Sequence, residues 1–185
     1  MPTLNVILAS TRPGRAGEPI ARWFAQTARE HGSFDVRLVD LAELNLPMLD
    51  EPTAAIEGEP YLHEHTRRWS AITAAADAFV LVMPEYNRGY SAPLKNALDY
   101  LYHEWLYKPV GFVGYGMSSA GMRAVQSIKP VLTALKMMPV DEAVHVHLRG
   151  FTEPTPSMAE AAKEMLDELA LLASAFSALR EAQPV

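Results

Sequence analysis

Asp77-Ala78-Phe79-Val80-Leu81-Val82-Met83 is an almost wholly apolar run that stops at Pro84. With no polar parity, it reads as a strand buried on both faces, the kind found inside a parallel sheet. Its surroundings agree. Upstream, Leu4 to Ala9 is a second short apolar run ending at a polar, Gly-containing loop, again a buried strand. From Pro19 to about Glu30, Ile20, Trp23, Phe24, Thr27 and Ala28 fall at i, i+3, i+4, i+7 and i+8, a helix with one buried stripe that Gly32-Ser33 stops. Phe34 to Leu41 alternates, with Phe34, Val36 and Leu38 against Asp35, Arg37 and Val39, and predicts a strand. Leu44 to Pro60 has no period and holds three prolines; it reads as a long surface loop, functional or mobile. Leu62, His65, Trp69, Ile72 and Ala76 then mark a helix leading into the Asp77 run.

Downstream the alternation continues. Ala92 to about Trp105 reads helical, with Leu94, Leu98 and Leu101 on one side. Pro109 to Tyr115 predicts a strand, and Met122, Val125, Ile128, Leu132 and Leu135 a helix that Pro130 should bend or unwind. Met138 to His147 holds the last strand. A Pro-rich loop, Thr152 to Pro156, leads to a final helix marked by Met158, Ala162, Met165, Leu169, Leu172, Phe176 and Leu179. Five strands alternating with five helices predict an α/β fold with a parallel sheet covered on both faces. Ligands of such sheets bind beyond the carboxyl ends of the strands.

The bulk properties narrow the choice. At 185 residues the chain is expected to be one domain spanning residues 1–185. Hydrophobic residues make up 49% and charged residues 21%, which argues against disorder. The absence of cysteine removes disulfides, Cys-ligated metals and thiol nucleophiles. A net charge of −6 disfavours nucleic acid as a partner. No targeting segment is read at the start, and no stretch approaches the ~20 apolar residues of a membrane span. No membrane partner and a cytoplasmic location are therefore expected.

Three loops follow strand ends. The first, Ser10-Thr11-Arg12-Pro13-Gly14-Arg15-Ala16-Gly17-Glu18-Pro19, opens a helix. Small hydroxyls, glycines and arginines at a helix start suit a phosphate, which free amides, the dipole and guanidinium forks all favour. It is neither a Walker A loop nor a G-x-G-x-x-G fingerprint, and a plain strand-to-helix turn with solvated arginines remains the alternative. The second loop runs from Met83 through Pro84-Glu85-Tyr86-Asn87-Arg88-Gly89-Tyr90 to Ser91, with Ser91 able to cap the next helix and Pro93 in its first turn. Its tyrosines, proline and backbone groups suit a planar polar ring, or simply a Pro/Asn/Gly turn. The third, Gly114-Tyr115-Gly116-Met117-Ser118-Ser119-Ala120-Gly121, lets backbone approach a ligand closely.

Together these loops resemble the NADPH-dependent FMN reductase family of flavodoxin-like proteins, which includes small quinone, azo and chromate reductases. The resemblance covers roughly Asn5 to Pro139. Its most specific piece is Pro84-Glu85-Tyr86-Asn87 followed by Gly89-Tyr90-Ser91-Ala92-Pro93-Leu94-Lys95-Asn96-Ala97-Leu98-Asp99. Ser10-Thr11-Arg12 is similar to the family's phosphate loop, with Ala9 where a glycine is usual; Ser118 and Ser119 stand where glycines are common in the flavin-edge loop. The resemblance implies a flavodoxin-like three-layer sandwich with strand order 2-1-3-4-5 and FMN at the switch point. It implies that Ser10, Arg12, Arg15 and Gly17 or Glu18 surround the FMN phosphate. Pro84, Glu85, Tyr86 and Asn87 would line the isoalloxazine, and Gly116, Ser118 and Ser119 would approach its pyrimidine end. It also implies ping-pong hydride transfer from NADPH (or NADH) to flavin N5 and on to a small-molecule electron acceptor: a quinone, a flavin, an azo compound or a metal oxyanion. A homodimer or homotetramer is implied too. The alternative activity is a flavodoxin-like electron carrier or flavin-binding regulatory module without turnover.

No side chain is assigned a catalytic role, because hydride transfer is the cofactor's chemistry; Glu85 is read as structural. Lys95 and Asp99 read as a surface pair. A metal at His63 and His65, or at His145 and His147, is not expected. Tyr100, Tyr102, Trp105 and Tyr107 read as core or as interface, where Tyr and Trp concentrate, and the oligomeric family favours interface.

Overall fold

The computed structural model describes residues 1–182; residues 183–185, included in the single-domain expectation, lie outside the described residues. The five strands are β1 (Thr3–Leu8), β2 (Asp35–Asp40), β3 (Ala78–Pro84), β4 (Pro109–Gly116) and β5 (Met138–His147). The helices are α1 (Gly17–His31), α2 (Leu41–Leu44), α3 (Glu64–Ala74), α4 (Ala92–Asp99), α5 (Met122–Ala134), α6 (Pro156–Ala175) and α7 (Ser177–Glu181). All strand pairings are parallel, in the order β2-β1-β3-β4-β5. The chain therefore leaves β1 toward one edge, returns past it to β3, and proceeds to the other edge. The ends of β1 and β3 are neighbours whose connections diverge, and this opens a crevice at the carboxyl end of the sheet.

The two faces are separately packed. Val80 and Val82 of β3 point into a layer with Leu4, Val6 and Leu8, covered by Ile20, Phe24 and Ala28 of α1 and by Ala162, Met165 and Leu169 of α6. Phe79, Leu81 and Met83 point the other way, onto Trp69 of α3, Leu94 and Leu98 of α4, and Val125, Ile128 and Leu132 of α5. Every residue of β3 is buried, as its unbroken apolar run requires. At about 1.5–3 kcal/mol for each large apolar side chain, these layers are the main stabilising term.

Several sequence expectations need correction. The helix at Ala92 stops at Asp99 rather than continuing to Trp105; a short 3₁₀ turn, His103–Trp105, follows. The turn folds Trp105 back against Phe79 and Trp69, with ring centroids 5.0 and 5.8 Å apart. Both indole N–H groups donate to backbone carbonyls, Trp69 to Ala97 at 2.8 Å and Trp105 to Leu98 at 3.2 Å. Tyr100 and Trp105 are fully buried, so they are core and not interface. In α3 the buried positions are Thr66, Trp69 and Thr73, while Leu62 lies outside the helix and exposed. Pro130 sits within α5 without ending it; Pro130 and Gln126, whose carbonyl loses its partner, both lie on the exposed side, where water can replace the bond. Phe176 and Leu179 fall beyond α6, at and within α7.

The segment from Leu44 to Pro60 is pinned to α4. Asn96 donates to the Pro47 carbonyl at 2.7 Å and accepts from the Leu49 amide at 2.9 Å, and the Tyr100 hydroxyl donates to Asp50 at 2.8 Å. Lys95 and Asp99 form the expected surface pair, with Lys95 donating at 2.8 Å.

Candidate functional site

The loops after β1, β3 and β4 meet at the carboxyl edge of the sheet. After β1, Ser10 is fully buried and Thr11 to Gly14 are exposed. No side chain caps the start of α1, so its first amides remain available to an anion. Arg12 is exposed and has no hydrogen-bond or ion-pair partner among the described residues. Arg15 is committed elsewhere. Its guanidinium forks onto both carboxylate oxygens of Asp40 and also donates to the Ser10 carbonyl at 2.6 Å. The hydrogen bond to Asp40 holds the arginine's pKa above its ordinary value. Arg15 thus acts as a strut between the ends of β1 and β2. Glu18 turns outward to Arg22 at 2.8 Å.

Gly17 is buried where α1 meets β4, and a Cβ there would collide with the Tyr115 hydroxyl. That hydroxyl is buried beside Ser10, its polar neighbour, and makes no well-formed hydrogen bond among the described residues. Burial pushes its ionisation far up, so it stays a protonated donor. A buried donor without a well-formed bond costs free energy; this one lies against the start of α1, beside Ser10 and the free first amides that a phosphate monoester would satisfy. The residues present therefore fit the terminal phosphate of FMN, with Tyr115 added to the set expected from sequence. The signal was visible as one hydroxylated aromatic in an otherwise apolar strand.

After β3, the Glu85 amide donates to the Tyr115 carbonyl at 2.8 Å, extending the β3–β4 ladder. Tyr86 and Gly89 then exchange both backbone bonds at 2.9 Å, closing a two-residue turn with Asn87 and Arg88 at φ +49° and +71°. The Tyr86 hydroxyl reaches Ser10 at 3.0 Å, joining the first two loops. Ser91 stands at the N-cap of α4 but does not cap it: its buried hydroxyl donates to the Ala9 carbonyl at 2.7 Å. The sequence reading as a cap is corrected, and the residue is a second tie between the same loops.

After β4, Gly121 takes φ +85° with its α-carbon pressed against the Gly114–Tyr115 backbone, so no side chain is accommodated. This close approach holds Ser119 and the start of α5 over Glu85. Glu85 accepts from the Ser119 hydroxyl, from the Arg123 amide at 3.1 Å and from the Arg123 guanidinium at 3.3 Å. Burial raises its pKa, but these donors outweigh burial and the net shift is downward. A carboxylate so held is ionised at neutral pH with its lone pairs occupied, a strut between two loops rather than a proton acceptor.

Glu85, Asn87 and Ser118 line a cavity of about 520 Å³ with Arg88, Met117 and Arg123. Ser119, expected beside the ring, is outside the lining and donates to Glu85. Gly116 ends β4, its α-carbon packed near the Glu85 Cβ, and Pro84 is buried at the end of β3. Of the residues expected around a ring, Tyr86 leans away toward Ser10. Arg88 and Arg123, which the sequence reading passed over, are part of the wall. Arg88 lies inside the second loop and Arg123 in α5, and only the fold brings them together.

The architecture is that of a flavodoxin-like protein. Over 95% of this chain it superposes with the flavoenzyme NAD(P)H:(acceptor) oxidoreductase FerB of Paracoccus denitrificans, covering 98% of that chain (TM-score 0.72, 20% identity). It also superposes with the flavodoxin of Megasphaera elsdenii over 89% of this chain and 99% of the other (TM-score 0.59, 13% identity). The sequence profile of the NADPH-dependent FMN reductases matches residues 2–149, and the chain belongs to that family. It is 45% identical over 137 residues to an NAD(P)H-dependent FMN reductase of Schizosaccharomyces pombe, spanning 74% of this chain and 68% of the relative. It is 29% identical over 147 residues to an FMN-dependent NADPH-azoreductase of Staphylococcus saprophyticus, spanning 79% and 77%. FMN and a reduced nicotinamide are thus the groups for which the three loops have to account.

Proposed function

We propose that the protein oxidises NAD(P)H and passes the electrons to a small acceptor in two successive half-reactions at one open site. FMN held there would supply the hydride-transfer chemistry. The chain's own groups bind, orient and leave access. Ser10, Arg12, the amides at Gly17 and Glu18 and the Tyr115 hydroxyl hold the phosphate; Arg15 fixes the shape of that loop through Asp40. Pro84, Glu85 and Asn87, with the main chain of Tyr86, form one side of the ring site, and Gly116, Ser118 and Ser119 the other. Glu85 joins the two sides and keeps Ser119 in place.

The observation that carries this reading is the uncapped start of α1, with the buried Tyr115 hydroxyl and Ser10 packed against it, beside the loops that wall the open cavity. The acceptor classes are quinones, free flavins, azo compounds and metal oxyanions. Quinone reduction is tested first, with NADPH varied at several fixed quinone concentrations. Parallel double-reciprocal lines are expected, and intersecting lines would refute the single shared site. Assembly as a homodimer or homotetramer belongs to the same reading and is supported by the exposed Met48, Ile56 and Leu62; analytical ultracentrifugation at micromolar concentration tests it.

A further inference from the structure

We propose that Arg88 docks the phosphates of the nicotinamide co-substrate. This rests on the reading of the adjoining cavity as the flavin site.

The backbone is the first ground. Arg88 holds φ +71°, the left-handed region that Gly or Asn ordinarily occupies. Asn87 beside it suits such a turn; arginine brings nothing to it. A residue kept in an unfavourable conformation at the lip of a site points toward use of its side chain.

The second ground is charge. Among the described residues, Arg88 makes no hydrogen bond and no ion pair, and it is exposed. The other ionised groups of the cavity are Glu85 and Arg123, which pair with each other. Arg88 is therefore the uncompensated charge of the cavity, on a chain whose net charge is −6. An isolated guanidinium there recruits an anion that the rest of the surface repels.

The third ground is placement. The reciprocal Tyr86–Gly89 bonds hold the turn as a rigid unit continuous with β3. The turn thereby fixes the Arg88 backbone at the cavity wall, with its guanidinium exposed to a second substrate. Reduced nicotinamide dinucleotides bring a pyrophosphate, and NADPH also a 2′-phosphate; both match the arginine fork. The shared chemistry is a phosphoryl oxygen pair, and comparison of the two dinucleotides tells the sources apart.

The test uses FMN-loaded protein and the variants Arg88→Gly, which relaxes the turn, and Arg88→Lys, which keeps charge but loses the fork. NADP⁺ and NAD⁺ affinities are measured by titration calorimetry, KM and kcat with NADPH and NADH, and FMN affinity by fluorescence. In Arg88→Gly we expect NADP⁺ Kd and NADPH KM to rise about tenfold or more, the usual scale for a lost charge-assisted hydrogen bond. FMN affinity falls by less than the nucleotide affinity, and Tm is unchanged or higher. Arg88→Lys falls between. Loss confined to the 2′-phosphorylated nucleotides upholds the proposal with that phosphate as the target; equal loss for both pairs upholds it with the pyrophosphate. Unchanged affinities for both overturn it. If wild-type protein binds FMN yet neither nucleotide reduces it, the site reading fails, and the proposal falls with it.

Discussion

Replacing Tyr115 by Phe removes one hydroxyl and almost no volume, and the structure gives that change two effects of opposite sign. In the protein without flavin the hydroxyl is buried and makes no well-formed hydrogen bond. Such a group costs about 1–3 kcal/mol, so the Phe variant should be more stable by roughly 1 kcal/mol or more, or about 2–4 °C in Tm at this chain length. On the proposed reading the same hydroxyl would donate to the FMN phosphate, an interaction worth about 1.5–3 kcal/mol. Its loss should raise the FMN Kd roughly 10- to 150-fold. The assays are thermal unfolding of flavin-free protein and fluorescence titration with FMN. A variant that is less stable and binds FMN as tightly as wild type would refute the reasoning, since the hydroxyl would then have a partner inside the protein and none in the ligand.

Glu85→Gln should destabilise the protein by about 1–3 kcal/mol at neutral pH, because Ser119 and Arg123 lose a charged acceptor. It should leave the shape of the pH–rate profile unchanged; loss of an acidic limb would show that Glu85 moves a proton. Gly17→Ala should abolish tight FMN binding by driving the Tyr115 ring from α1, and adding Tyr115→Phe should recover part of the affinity, a coupling that a double-mutant cycle measures. Lys108 gives a pH dependence. Burial, helped by Arg180, lowers its pKa from 10.5 to about 8, while its ammonium donates to the Thr73 and Ala74 carbonyls. Between those values the unfolded chain binds more protons, so stability should rise from pH 8 toward pH 10, by an amount on the order of 3 kcal/mol if the full shift is realised. Lys108→Met should flatten that rise in denaturant melts; a slope that persists would assign it to another group.

The sheet was legible in the sequence because its signals are local. The run from Ala78 to Met83 has no polar residue to offer to water, and only a strand covered on both sides accommodates it. The α1 stripe of Ile20, Phe24 and Ala28 is read with the same security, since its spacing allows one face. The ends of elements were less legible. The helix at Ala92 looked longer than it is because Leu101 keeps the helical period, whereas Trp105 gains more by folding back onto Phe79 and Trp69 than by another helical turn. Tyr100 looked like an interface residue because its type is common there; its partner, Asp50, lies in a loop without period.

The site was legible in part for the same reason. The motifs place Ser10, Glu85 and Ser119 at strand ends, which sequence order can give. That Ser91 ties to Ala9 instead of capping α4, that Arg15 is spent on Asp40, and that Arg123 neutralises Glu85 are contacts between distant segments. Each is a choice among several available partners, and the fold makes it.

The most direct test is the visible absorption spectrum of purified protein titrated with FMN, then mixed anaerobically with NADPH. A shifted, saturable flavin spectrum is expected that bleaches on adding NADPH and returns when a quinone is supplied. Flavin bands that bind and persist would contradict the reductase, and bands that never shift would contradict the site.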